Sequence, residues 1–111
     1  MNPDEMKDLV AYAIGELTAG NDAIVDEHPG LAEVLPTFQA MRYAFEDQTH
    51  DIVQQLVDGD WVVSRVIGSG IHVGEFMGMP PSNQRMDSET IMMHQIHNGS
   101  IVKQHSQGGP V

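Results

Sequence analysis

The stretch from Gly68 to Arg85, Gly-Ser-Gly-Ile-His-Val-Gly-Glu-Phe-Met-Gly-Met-Pro-Pro-Ser-Asn-Gln-Arg, most limits what this chain can fold into. It holds four of the eleven glycines and two of the six prolines. No single regular element tolerates that density. Gly70 and Gly74 punctuate the end of an apolar run. Pro80-Pro81 removes ladder donors and blocks a continuing helix. The pattern predicts a strand leaving a sheet, a shaped loop over an opening, and a return strand from about Arg85. Gly68, Gly70 and Gly74 lack the G-x-G-x-x-G spacing and no helix start follows them, so this is not a phosphate-cradling loop.

The chain before it reads as helices. Asn2 is placed to cap, Pro3 fits a first helical turn, and Asp4 and Glu5 suit the positive end of a helix dipole. Met6, Leu9, Val10, Ala13, Ile14 and Leu17 recur at spacings of three and four, and Gly20-Asn21 supplies a stop. Helix 1 is expected over about 3–19. Residues 22–28 are ambiguous and end in the turn His28-Pro29-Gly30. Leu31, Val34, Leu35, Phe38, Met41 and Phe45 form a second helical stripe. Either its helix starts at Pro36, or a preceding turn is kinked there.

Beyond Phe45 the period changes. Ile52, Val53, Leu56 and Val57 lead to Asp58-Gly59-Asp60 and then to Trp61–Ile67, a hairpin signal. Asn98-Gly99, between Arg85–His97 and Ser100 to about His105, is a second one. The ending Ser-Gln-Gly-Gly-Pro-Val reads as mobile, or at least as no regular strand. Helices first and meandering strands afterwards argue an α+β domain.

Charge and composition exclude several functions. Asp+Glu 16 against Lys+Arg 5 gives a formal charge of −11. That is no footprint for nucleic acid or for an anionic membrane. With no cysteine there is no thiol catalysis, disulfide or thiolate metal site. No apolar run approaches the length of a membrane span, and the N-terminus lacks signal-peptide features, so a cytoplasmic protein is expected. His94 and His97 are an odd number apart on an expected strand and face opposite ways, so no metal site is expected. No cofactor is expected either.

Gly70-Ile71-His72-Val73-Gly74-Glu75-Phe76-Met77-Gly78-Met79-Pro80-Pro81 resembles the Gly-Thr-His-x-Gly-Glu-Phe-x-Gly-(Ile/Met)-Pro-Pro segment of SnoaL-like polyketide cyclases, or ester cyclases, of the NTF2-like superfamily. Ile71 stands where Thr is usual, and Ser82-Asn83 replaces Thr-Gly. Asp58-Gly59-Asp60 with Val62 and Arg65 matches a second family pattern, and Gly99 with Ile101 a third. The resemblance covers roughly residues 36–105. It implies one domain over 1–111: a cone in which a curved antiparallel sheet wraps around the N-terminal helices and encloses a pocket. It also implies a homodimer joined through the outer sheet face. Compared with the family, some twenty residues are missing around residues 20–35, and His28 is the match for a pocket histidine there.

The family's chemistry is an intramolecular aldol condensation. An acid near the C-terminus, four residues after a Trp, moves the proton. Here His105 stands at the Trp position and Gly109 at the acid's. Gln95 replaces an Arg or His before the Asn-Gly turn. This supports a small-molecule-binding protein with an apolar pocket. The alternative is a cyclase-like isomerase, lyase or hydrolase acting on a small carbonyl compound. Candidate catalytic residues are His72, Glu75 and His105. His72 and Glu75 form a carboxylate–imidazole pair if both turn inward; otherwise they end a strand and cap a loop. Candidate ligand contacts are His28, Trp61, Arg65, Phe76, Met77, Met79, Met93 and Gln95. The methionines of the second half suit either a permissive pocket or ordinary core filling.

Overall fold

The computed structural model describes residues 1–110. Helix α1 spans Pro3–Ala19. Its first turn is closed by a reciprocal pair: Glu5 N donates to Asn2 Oδ1 (2.8 Å) and Asn2 N donates to Glu5 Oε1 (2.9 Å). Gly20 ends it with φ of 96°, a left-handed cap that suits glycine. Residues 22–28 form a short helix α2, Ile24–Glu27, followed by a 3₁₀ turn over Pro29–Leu31. Helix α3 then spans Leu35–Ala44, so Pro36 lies in its first turn.

Four antiparallel strands follow in the order β1-β2-β3-β4: Phe45–Asp58, Trp61–His72, Arg85–His97 and Ser100–Pro110. Both expected hairpins are present, at Asp58–Trp61 and His97–Ser100, and the loop between β2 and β3 carries the Gly/Pro-rich segment. No described helix is long and apolar enough to cross a membrane.

Two expectations need correction. Phe45 continues the helical stripe by spacing, yet its backbone is extended (φ −129°, ψ 139°) and it opens β1 without a connecting loop. The last strand does not stop near His105. It runs to Pro110, with Gly108 paired to Thr90 and Gly109 to Glu89. Gly108 is a close-approach residue there: a Cβ would lie 2.2 Å from the Glu89 carbonyl oxygen. Ladder pairing therefore overrides the flexibility of Gly-Gly, and only Val111 lies outside the described residues.

The sheet has two unlike faces. Val62, Ser64, Val66, Gly68, Gly70 and His72 point from β2 to the concave side, and Met92, His94 and Ile96 do so from β3. Helix α1 lies against this side. Val10, Ala13, Ile14 and Leu17 pack with Leu31, Phe38, Val62, Val66 and Ile101 into one core. The 3₁₀ turn meets β4 backbone to backbone. A Cβ at Gly30 would lie 2.4 Å from the Lys103 nitrogen. Gly30→Ala is therefore expected to lower stability by about 2 kcal/mol, the scale of core overpacking. Chemical denaturation checks this, and an unchanged midpoint would refute it.

His94 is a polar member of this core. It is 1% exposed, and its Nδ1 is buried without a hydrogen-bond partner. Burial pushes its pKa down from 6.5 to about 4. Above pH 6.5 it is neutral in both folded and unfolded chains. Below that the unfolded chain takes up the proton first, so stability falls as pH drops from 6.5 through about 4. The loss across that window is at most ~3 kcal/mol. His94→Leu is expected to flatten this part of the acid limb. Urea midpoints at several pH values check it, and an unaltered limb would count against the assignment.

Candidate functional site

The concave face has a second region that α1 does not fill. There β2 changes from Val62 and Val66 to Gly68 and Gly70, and a cavity of about 410 Å3 opens above the two glycines. Thr37 and Met41 of α3 form one side, with Phe45, Gln48 and His50 of β1. Met86, Ser88 and Thr90 of β3, with Ser106 and Gly108 of β4, form the other. Phe76, Met77 and Met79 of the loop cover the mouth. The size falls in the usual range for small-molecule pockets, and the walls are mostly apolar.

The loop is shaped by local hydrogen bonds and by one aromatic cluster. Phe76 and Met79 exchange backbone bonds of 3.1 and 2.9 Å, closing a tight turn with Met77 and Gly78 at positive φ. The Phe45 ring stacks on His72 (centroids 5.1 Å) and meets Phe76 edge-on (5.4 Å). Gly70 makes room for this cluster, because a Cβ there would come within 3.0 Å of the Phe45 Cβ.

The side chains singled out from sequence divide into three groups. Phe76, Met77 and Met79 border the cavity. His72 is 2% exposed, packed behind Phe45 with its Nε2 unpartnered, and does not line the cavity. The rest lie elsewhere. Glu75 is exposed, so it does not form an inward pair with His72. His28 is a structural residue: its Nδ1 accepts the Ile101 N–H at 3.0 Å and ties the front half to β4. Trp61, Arg65, Met93, Gln95 and His105 sit on the outer face, because strand alternation turns them away from buried Val62, Ser64, Met92 and His94. Trp61 stacks on His105 (5.9 Å), Arg65 forms a two-pronged ion pair with Glu89, and Gln95 bonds Asp60. His105 also borders a separate depression of about 280 Å3 beside Pro29 and Gly30. Among the described residues no three His, Asp or Glu side chains gather as a metal site.

Sequence reasoning missed His50. It is the cavity's imidazole, half-buried, with its ring tilted on Phe38 (5.6 Å). Its Nδ1 lies 2.9 Å from the Thr18 hydroxyl. Burial lowers its pKa from 6.5, and neighbouring Asp51 opposes this more weakly. No pattern along the sequence points to it; the register of β1 against β2 sets it beside the side-chain-free Gly68.

A family model for SnoaL-like polyketide cyclases matches residues 1–108. The chain belongs to this family. Aklanonic acid methyl ester cyclase DauD of Streptomyces sp. (strain C5) is 32% identical over 104 residues, covering 82% of this chain and 65% of that protein. Aklanonic acid methyl ester cyclase DnrD of Streptomyces peucetius is 32% identical over 62 residues, 55% of this chain and 43% of that protein. The matches thus span about two-thirds and less than half of those relatives' lengths. The fold is shared with AclR from Streptomyces galilaeus (TM-score 0.85, 19% identity, 97% of this chain and 77% of that one). TsrD from Streptomyces laurentii shares it too (TM-score 0.81, 21% identity, 97% and 90%). The NTF2-like architecture expected from the loop motif is therefore the observed one.

At the position the resemblance gives to the proton-moving acid, Gly109 pairs with Glu89 and shares its outer face. Its main chain borders the cavity, but a side chain there would point away from it, with no atom of the described residues within 4 Å of the Cβ. Gly109→Asp is therefore expected to create no turnover. The reason is direction, since the strand holds this residue in place. The new carboxylate would stand opposite Glu89 and cost roughly 0.5 kcal/mol of stability. Assaying wild type and variant on a panel of small ketones and esters checks this, and strong new turnover would show that residue 109 reaches the cavity.

Proposed function

We propose that this SnoaL-like chain binds a small, mostly apolar carbonyl compound in the cavity above Gly68 and Gly70. The observation that carries the reading is the cavity's composition. Methionines and Phe45 supply apolar contact, while Ser88, Thr90 and Ser106 place hydroxyls on one wall. The Ser106 oxygen already accepts from Gln104 Nε2 (2.8 Å), which leaves its own proton free to meet a carbonyl oxygen. Among the described residues the cavity's lining includes no lysine or arginine, and the formal charge is −11, so a neutral ligand fits better than an anionic one. A second reading, cyclisation or isomerisation of such a compound, is supported by the cyclase relatives and by an imidazole in the cavity wall.

The probe is 2-tetralone, a neutral bicyclic ketone. Titration followed by two-dimensional amide NMR is expected to move resonances of the cavity residues, and Ser88→Phe, which places a ring over Gly68, to weaken binding at least tenfold. Shifts confined to the outer face, or none, would refute the reading.

We also propose a homodimer joined through the outer sheet face. That face leaves Ile91, Met93 and Val102 exposed at 40%, 38% and 36%. Sedimentation at micromolar concentration is expected to show a species larger than the 12.2 kDa chain, and a monomer alone would overturn this.

A further inference from the structure

The cavity's imidazole is held in a particular protonation geometry. The Thr18 hydroxyl donates its single proton to the Ile14 carbonyl at 2.8 Å. Its oxygen is therefore an acceptor toward His50 Nδ1, 2.9 Å away. A neutral His50 thus carries its proton on Nδ1 and leaves the Nε2 lone pair free. Among the described residues Nε2 has no hydrogen-bond partner. It lies beside the cavity floor: a Cβ built on Gly68 would be 3.6 Å from it, and that Cβ does not exist. Across the floor, Ser88 occupies the next strand in the same row, with Gly68 paired to both His50 and Ser88. A molecule lying over Gly68 thus meets a free imidazole lone pair on one side and a hydroxyl on the other.

We propose that His50 is the catalytic base of this site, fixed in its Nδ1–H tautomer by Thr18, and that it takes a proton from the carbon next to a bound carbonyl group. The proposal rests on the reading of the cavity as a carbonyl-compound site. In the step, the C–H bond breaks, its proton goes to Nε2, and its electron pair moves through carbon to the carbonyl oxygen, giving an enolate. Ser88 or Ser106 donates to that oxygen. The enolate carbon then attacks a second carbonyl of the same molecule, and the imidazolium returns the proton to the new alkoxide. Atoms and electrons balance within one substrate, with no oxidant or reductant. The substrate class is a compound with two carbonyl groups set far enough apart that the carbon next to one can close a ring on the other. Thr18 is a positioning residue, acting through the imidazole.

The groups around His50 favour this use. Helix α1 contributes Thr18, α3 contributes Phe38 with Thr37 and Met41 nearby, and β2 contributes Gly68, none of them charged. The charged neighbours are Asp51, adjacent on β1, and Asp87 at the cavity wall on β3. Burial outweighs Asp51 and keeps the imidazole neutral at pH 7, as a base must be.

The test measures two quantities on wild type, His50→Ala, His50→Gln and Thr18→Val: affinity for 2-tetralone, and deuterium uptake at its α-carbons in D2O above the buffer rate. Wild type is expected to accelerate exchange. Both His50 variants are expected to lose about a hundredfold of that acceleration, the usual scale for a general base, with affinity changed less than threefold. The wild-type rate should fall with acid through an ionisation below 6.5, because protonation removes the lone pair. Thr18→Val should lower the rate and shift that ionisation, with binding intact. Binding without accelerated exchange, or full exchange in folded His50→Gln, would overturn the base. A wild-type Thr18→Val profile would overturn the tautomer lock. Failure of wild type to bind would overturn the cavity reading and the proposal with it.

Discussion

One helix cannot cover a long curved sheet. Helix α1 has 17 residues and spans about 26 Å, whereas β2 alone has 12 residues and spans about 40 Å. The concave row of β2 is divided accordingly. Val62, Ser64 and Val66 are buried at 0–1% exposure in the core, and Gly68 and Gly70 follow where α1 has run out. Large side chains in those last two positions would close the space, and their absence makes the cavity. The rest of the architecture answers the same constraint. Helix α3 runs directly into β1 so that Phe45 enters the sheet next to the open end, and the Gly/Pro-rich loop folds back to cover it.

The elements were more legible than their faces. Asn2, Gly20, Asp58-Gly59 and Asn98-Gly99 each carry local turn or cap chemistry that tertiary context did not override, and the bounds they set held. Phe45 did not yield, because it fits the helical stripe by spacing and the strand by residue type. The tail did not yield either, since Gly-Gly-Pro is turn-like in isolation and only the partner strand β3 makes it a ladder. Strand direction is harder still. Val62 and Val63 are both apolar, so alternation alone does not say whether Trp61 and Arg65 point in or out. In β1 a register shift between Ile52 and Gln54 resets the alternation, with Val53 the extra residue. That irregularity hides His50 from any pattern read along the sequence. Packing against Thr18, 32 residues away, turns it into a cavity residue.

Two histidines, one buried and one half-buried, show how differently the same residue type is used. His94 is sealed in the core with an unpartnered Nδ1, and its depressed pKa is a cost carried by the fold in acid. His50 has its Nδ1 satisfied and its Nε2 facing free space. Burial lowers the pKa of both, but only one is within reach of a ligand. A perturbed pKa becomes interesting chemically when geometry gives the free atom something to touch. The acidic composition bears on ligands too, because a strongly negative exterior disfavours anionic ones.

The likeness to solved structures establishes architecture, and at about one-fifth identity it transfers no residue roles. The resemblance places the proton-moving acid on the last strand. In this chain that strand arrives at the cavity with Ser106 and Gly108 inward and side-chain-free Gly109 outward. The base we propose, His50, stands on another wall, β1. A cone with a cavity inside permits this exchange, because its strands and helices surround one volume and a lone pair reaches that volume from any of them. What decides the position is the support behind the side chain. On β1, Thr18 and the end of α1 stand behind His50 and set its tautomer, while on β4 no atom of the described residues lies within 4 Å of where a Cβ at 109 would be.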